Sequence, residues 1–104
     1  MLSEILSSEV VIHRGPASVW RSVEPTTGTL ILTRDRLVFK PDAFLIRGGE
    51  ISIPLGAIAK VEASNTMLVF PNRVDVVRRD GRVVKFVVKD RDEWIARTRN
   101  AMKS

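Results

Sequence analysis

Cysteine and tyrosine are absent from the 104 residues, and histidine occurs once. Without cysteine there is no disulfide, no thiolate nucleophile and no cysteine-ligated metal, which points away from an oxidising compartment and toward the cytoplasm. The single His13 has no carboxylate at helical or strand spacing that would complete a metal site, so it is read as a surface or strand-end residue. No apolar run exceeds five residues, far below the roughly 20 that a membrane-spanning helix needs. The stretch MLSEILSSEV also lacks a basic segment followed by an apolar one, so a soluble chain is expected. No glycine-rich loop opens a helix, no Walker-type lysine is present, and Ser18, Ser22 and Ser52 have no recognisable His and Asp partnership. Catalysis is not expected, and neither is a cofactor.

What remains is a folding composition, 44% apolar and 28% charged, in a length suited to one domain over residues 1–104. Charge is unevenly placed. Residues 1–72 carry seven basic and seven acidic side chains, whereas residues 73–104 carry ten basic and five acidic, so the last third holds the whole net charge of +5. An excess of this kind favours anionic partners: lipid head groups, nucleic acid or acidic proteins.

Short runs of Val, Ile, Leu and Phe alternate with turn signals, which predicts a sandwich or barrel. Strands are expected near residues 9–13, 18–23, 29–33, 36–40, 50–53, 57–63, 73–78 and 83–88. In GTLILT, Leu30 and Leu32 share one face and Thr29, Ile31 and Thr33 the other; Leu37 and Phe39 alternate likewise. Turns are expected at Arg14-Gly15-Pro16, 25–28, Arg34-Asp35, Gly48-Gly49, Pro71-Asn72 and Asp80-Gly81. The last of these suits a type I′ hairpin, because both residues accept positive φ at little cost. Beyond it the period changes to that of a helix from about Asp92 to Lys103, opened by an Asp90 and Glu93 capping box and burying Trp94, Ile95, Thr98, Ala101 and Met102.

Three stretches, GTLILTRDRLVF, ISIPLGAIAKVE and PNRVDVVRRDGRVVKFVVKDRDEW, occur in an order and spacing similar to the GRAM domain family of the pleckstrin-homology-like fold. The resemblance covers about residues 17–103. It implies a mainly β protein, a PH-like barrel or sandwich of two antiparallel sheets capped by one C-terminal α-helix. It also implies a non-enzymatic module for anionic membrane lipids, phosphoinositides among them, or for proteins, with no cofactor and a cytoplasmic location peripheral to the membrane.

Within that frame Arg78, Arg79 and Arg82 crowd the hairpin tip and are the leading candidates for an anionic ligand. Arg14 and Arg21 join them by analogy with the phosphate-meeting first turn of many such folds. Three basic groups near an acidic membrane contribute about 3 kcal/mol, less than the roughly 4 kcal/mol of a millimolar complex. A head-group pocket, several copies or apolar insertion is therefore required as well. Lys40, Phe44, Leu45, Ile46 and Arg47, an apolar tip with basic shoulders, form a candidate membrane-contact loop, against the alternative that the three apolar residues pack over the sandwich end. Trp20 and Trp94 are expected in the core. Two other functions compete: protein interaction or self-assembly through an exposed sheet edge, and non-specific nucleic-acid binding, which the missing aromatic ladder disfavours.

Overall fold

Two antiparallel meanders share strand β1 (Val11–Trp20). In one, β1 leads to β2 (Pro25–Thr33), β3 (Arg36–Pro41) and β4 (Ile51–Pro54); in the other, β5 (Ile58–Thr66) leads to β6 (Phe70–Arg78) and β7 (Val83–Val88). The structure is a computed structural model and describes residues 9–20, 25–42, 49–66 and 70–103. Every strand pair is antiparallel, in the order β4-β3-β2-β1-β7-β6-β5. Strands β4 and β5 are edges, so the sheet does not close into a barrel. A single turn of 3₁₀ helix, Leu55–Ala57, connects them after Pro54.

The expected turn at residues 14–16 is not formed, and the first two expected strands are one. β1 pairs with β2 from Val11 to Trp20 but with β7 only from Ala17 to Trp20. Pro16 therefore sits where β1 has one strand neighbour, the position in a sheet where a residue without an N–H is tolerated. Gly15 beside it packs under the helix: a Cβ there would lie 3.7 Å from the Trp94 indole, an ordinary van der Waals contact.

Inward-facing residues from every strand and the helix meet in one core, among them Val19, Leu30, Phe39, Ile53, Val61, Val76, Phe86 and Trp94. Phe39 and Phe86 bring the two meanders together with ring centroids 6.0 Å apart. The expected alternation fails in β2 and β3, where Ile31, Thr33 and Val38 are buried as well as their neighbours. Part of the covering is visible at Glu9. Its carboxylate, 7% exposed, accepts Nε and Nη2 of Arg36 at 3.0 and 2.8 Å. The Thr33 hydroxyl lies 3.3 Å from it and accepts the backbone N–H groups of Asp35 and Arg36. Glu9, just before β1, is thus tied to Thr33 and Arg36 at the outer face of β2 and β3.

Helix α1 (Arg91–Met102) follows as expected and buries Trp94, Ile95, Thr98 and Ala101. Twelve residues make a marginal helix in isolation, so this docking is what stabilises it, at about 1.5–3 kcal/mol for each large apolar side chain fully buried. The capping box is not formed. Asp90 makes no side-chain bond to the first turn, and Glu93 instead accepts Nε of Arg97 at 2.8 Å, a charge-assisted bond one turn along the helix. That bond holds the Glu93 carboxyl below its ordinary value of 4.5. Its contribution is complete at neutral pH and lost as pH falls through the lowered value.

Two further helix arginines reach the edge strand. Arg99 donates to the Val61 carbonyl at 2.7 Å and Arg91 to the Ser64 carbonyl at 2.8 Å. Arg99→Ala is expected to cost about 1 kcal/mol and to accelerate hydrogen exchange in α1 ahead of β7. Equal protection of α1 in both proteins would show that this bond does not hold the helix down.

Candidate anion-binding site at the turn between strands 6 and 7

The two strands that carry this turn are paired from Arg73–Val87 to Val77–Val83, and the arginines stand on or directly beside the short loop that joins them. Arg78 and Arg82 extend the ladder through an Arg78 N–H bond to the Arg82 carbonyl at 2.8 Å, and the Gly81 N–H returns to the Arg78 carbonyl at 3.0 Å. The loop is therefore Arg79-Asp80-Gly81, one residue longer than the two-residue type I′ turn that Asp-Gly suggested. Gly81, with φ of 93°, supplies the left-handed residue of a three-residue hairpin, where a side chain would be strained.

Each arginine has a different environment. Arg78 lies along the protein with its side chain 27% exposed and its Nε 3.7 Å from Asp80. That Nε is shut off from solvent without a hydrogen-bond partner, so Asp80 offsets its charge at longer range. Arg79 is exposed and donates Nε to the Gly56 carbonyl at 2.8 Å, which leaves its terminal nitrogens outward. Arg82 is 82% exposed and stands 3.9 Å from Asp80. Three cations and one carboxylate leave the tip with a local excess of positive charge, held on a two-stranded scaffold with the Arg79 backbone N–H also bonded to the Ala57 carbonyl.

Arg14 is not brought to this tip. It is exposed on β1 opposite Ile31, roughly 20 Å along the strand from Trp20, whereas the tip lies past the Trp20–Lys85 pair in the other direction. Its neighbour His13 is half-buried with its ring 4.4 Å from that of Trp94, a packing contact at the helix end. Lys40 is half-buried on β3 opposite Thr29. Arg21, Phe44, Leu45, Ile46 and Arg47 lie outside the described residues.

Trp94 is 3% exposed in the core, but Trp20 is not a core residue. Ala17 and Val19 point inward, so strand alternation puts Ser18 and Trp20 on the outer face of the sheet. Among the described residues no group of histidine and carboxylate side chains could hold a metal ion, and no helix is long and apolar enough to cross a membrane. A shallow hollow of about 450 Å³ between β5 and α1 is lined by Val61, Met102 and the charged Lys60, Glu62, Arg99 and Lys103.

The sequence profile of the GRAM domain matches residues 2–96. The chain belongs to the GRAM domain family. The profile begins before the resemblance noted above, at about residue 17, and ends within α1. Comparison with curated proteins gives no match. Among solved structures, this GRAM domain is similar to the C-terminal domain of an unknown protein from Leishmania infantum (TM-score 0.81, 15% identity, 94% of this chain and 88% of that one). It is also similar to the Vps36 N-terminal PH domain (TM-score 0.76, 16% identity, 96% and 83%) and to the N-terminal PH domain of human ARAP2 (TM-score 0.71, 20% identity, 97% and 86%). The GRAM domain thus has the PH-like fold, which generally serves non-catalytic binding.

Proposed function

We propose that this GRAM domain is a non-catalytic membrane-binding module that meets acidic phospholipid, phosphoinositides included, through the arginines of the β6–β7 turn, at the cytoplasmic face of a membrane. The observation that carries this reading is the outward presentation of Arg79 and Arg82 on a turn pinned from both sides, Arg82 with 82% of its side chain exposed. A guanidinium held in this way pairs with phosphate oxygens without first giving up a buried partner. Strand addition at β5, the competing use of the fold, has to contend with the bonds that Arg99 and Arg91 already make to the Val61 and Ser64 carbonyls.

The test is sedimentation with vesicles of phosphatidylcholine alone or mixed equally with phosphatidylserine. Retention is expected on the acidic vesicles and should fall as salt rises. Arg79→Gln with Arg82→Gln removes about 1 kcal/mol each, so retention should weaken about thirtyfold. Arg78 is left in place because its guanidinium is folded against the hairpin. No retention of the parent domain on acidic vesicles at low salt would refute the proposal.

A further inference from the structure

Charge at the turn accounts for only part of a membrane interaction, and the outer face beside it supplies what the charge lacks. Val83 directly follows Arg82 and is 46% exposed. Val77 stands opposite it on β6, and Trp20, opposite Lys85 on β1, lies diagonally across β7. Both are half-buried. The inward side of the same strands is taken by Val76, Val84 and Phe86, so the packing of the core does not require apolar side chains on the outward side. Exposed Arg82 borders this patch and exposed Lys85 stands within it between Trp20 and Asp75, whose carboxylate is already paired with Arg73 at 2.9 Å, so an apolar area carries a net basic charge. Such a surface suits the boundary between head groups and acyl chains, where an indole is stable with its ring in the apolar zone and its N–H among polar groups.

We infer that Trp20, Val77 and Val83 form the apolar part of the membrane-contact surface, entering the interfacial zone of an acidic bilayer while Arg82 and Lys85 meet its phosphates. The inference rests on the lipid reading above and places the contact on the outer face of β1, β7 and β6. Charge complementarity selects the occupant: a bilayer with anionic head groups satisfies both the apolar area and its basic charge.

Vesicles of phosphatidylcholine and phosphatidylserine with brominated acyl chains test it through tryptophan quenching. Trp94 is 3% exposed beneath the helix and should not be quenched, so quenching reports Trp20. The expected result is quenching on binding that disappears in Trp20→Phe, although that variant still sediments with the vesicles. Val83→Asn, at an exposed position that spares the fold, should weaken retention about tenfold without changing its salt dependence. Val11→Asn removes a valine of similar exposure, 41%, at the far end of β1 and should bind like the parent. Retention without quenching, or equal losses in Val11→Asn and Val83→Asn, would overturn the inference and leave the lipid reading standing. Absence of retention on any acidic vesicle would remove both. Concentration-dependent dimerisation by light scattering that Val83→Asn abolishes would assign the patch to a second copy of the chain instead.

Discussion

Gly28→Ala is expected to cost at least about 3 kcal/mol and lower the melting temperature by about 15 °C. A Cβ at Gly28 would lie 2.3 Å from the Lys40 carbonyl oxygen, 2.8 Å from the Phe39 ring and 2.8 Å from the Pro41 Cα. Two of these are backbone atoms of the adjacent strand, and neither can swing aside as the end of a long side chain would. Gly28 pairs with Ala17 on one side and Pro41 on the other, so β2 has no free side toward which to move. Relief requires β2 and β3 to separate, which disturbs the Asp42 N–H bond to the Thr27 carbonyl as well. Gly56→Ala is the control, since nothing lies within 4 Å of its added Cβ. Thermal unfolding followed by circular dichroism decides: a Gly28→Ala protein that melts like Gly56→Ala would show that the strands have slack there.

The second large effect is expected from Arg36→Ala, at about 3–5 kcal/mol. Its guanidinium grips both carboxylate oxygens of Glu9 and donates Nη1 to Ser52 at 3.0 Å. With side chains only 18% and 7% exposed, the pair is poorly screened by solvent. Truncating the arginine would leave a buried carboxylate without its main counter-charge, and the Thr33 hydroxyl is a single weak substitute. Arg36→Lys should recover only part of the loss, because an ammonium cannot reproduce the two-pronged geometry. The hydrogen bond from Arg36 to Glu9 raises the arginine above its ordinary value. Its stabilisation is therefore complete below that value and lost only as pH climbs through the raised one, so ordinary alkaline conditions should not weaken the pair. Urea unfolding of Arg36→Ala, Glu9→Gln and the double variant gives the coupling between them. A coupling near zero would mean that the pair does not secure the segment before β1.

The strongest sequence signals were local. Valine-rich runs on either side of Asp80-Gly81 form a hairpin because neighbouring segments with complementary faces need only a short connection to pair. The apolar spacing after Asp90 forms a helix because Trp94, Ile95, Thr98 and Ala101 fall on one side of it. Details of hydrogen bonding were less legible. Glu93 could serve the helix end or Arg97, and only the docked helix shows Arg97 winning. Asp-Gly pointed to a two-residue loop, and the ladder between Arg78 and Arg82 made it one residue longer.

At the candidate site, the cluster Arg78, Arg79 and Arg82 was visible as three basic residues around one acid. Its internal differences were not visible, because they depend on Gly56 and Ala57, which a distant corner of the chain brings to the turn. A turn at Gly15-Pro16 would bring Arg14 to join them. Once β1 runs straight through that dipeptide, the same residue lies toward the helix end.

The amino-acid sequence by itself determined a β-rich domain ending in an amphipathic helix, a basic hairpin, and membership of the GRAM domain family. These follow from periodicity, turn chemistry and charge, which act over a few residues. The tertiary structure alone decided that β1 serves both meanders, that Ile31 and Val38 are buried on the outer face, and that Trp20 faces out beside Val83. Each depends on strand register and on what covers a face, which are set by contacts between residues far apart in the chain.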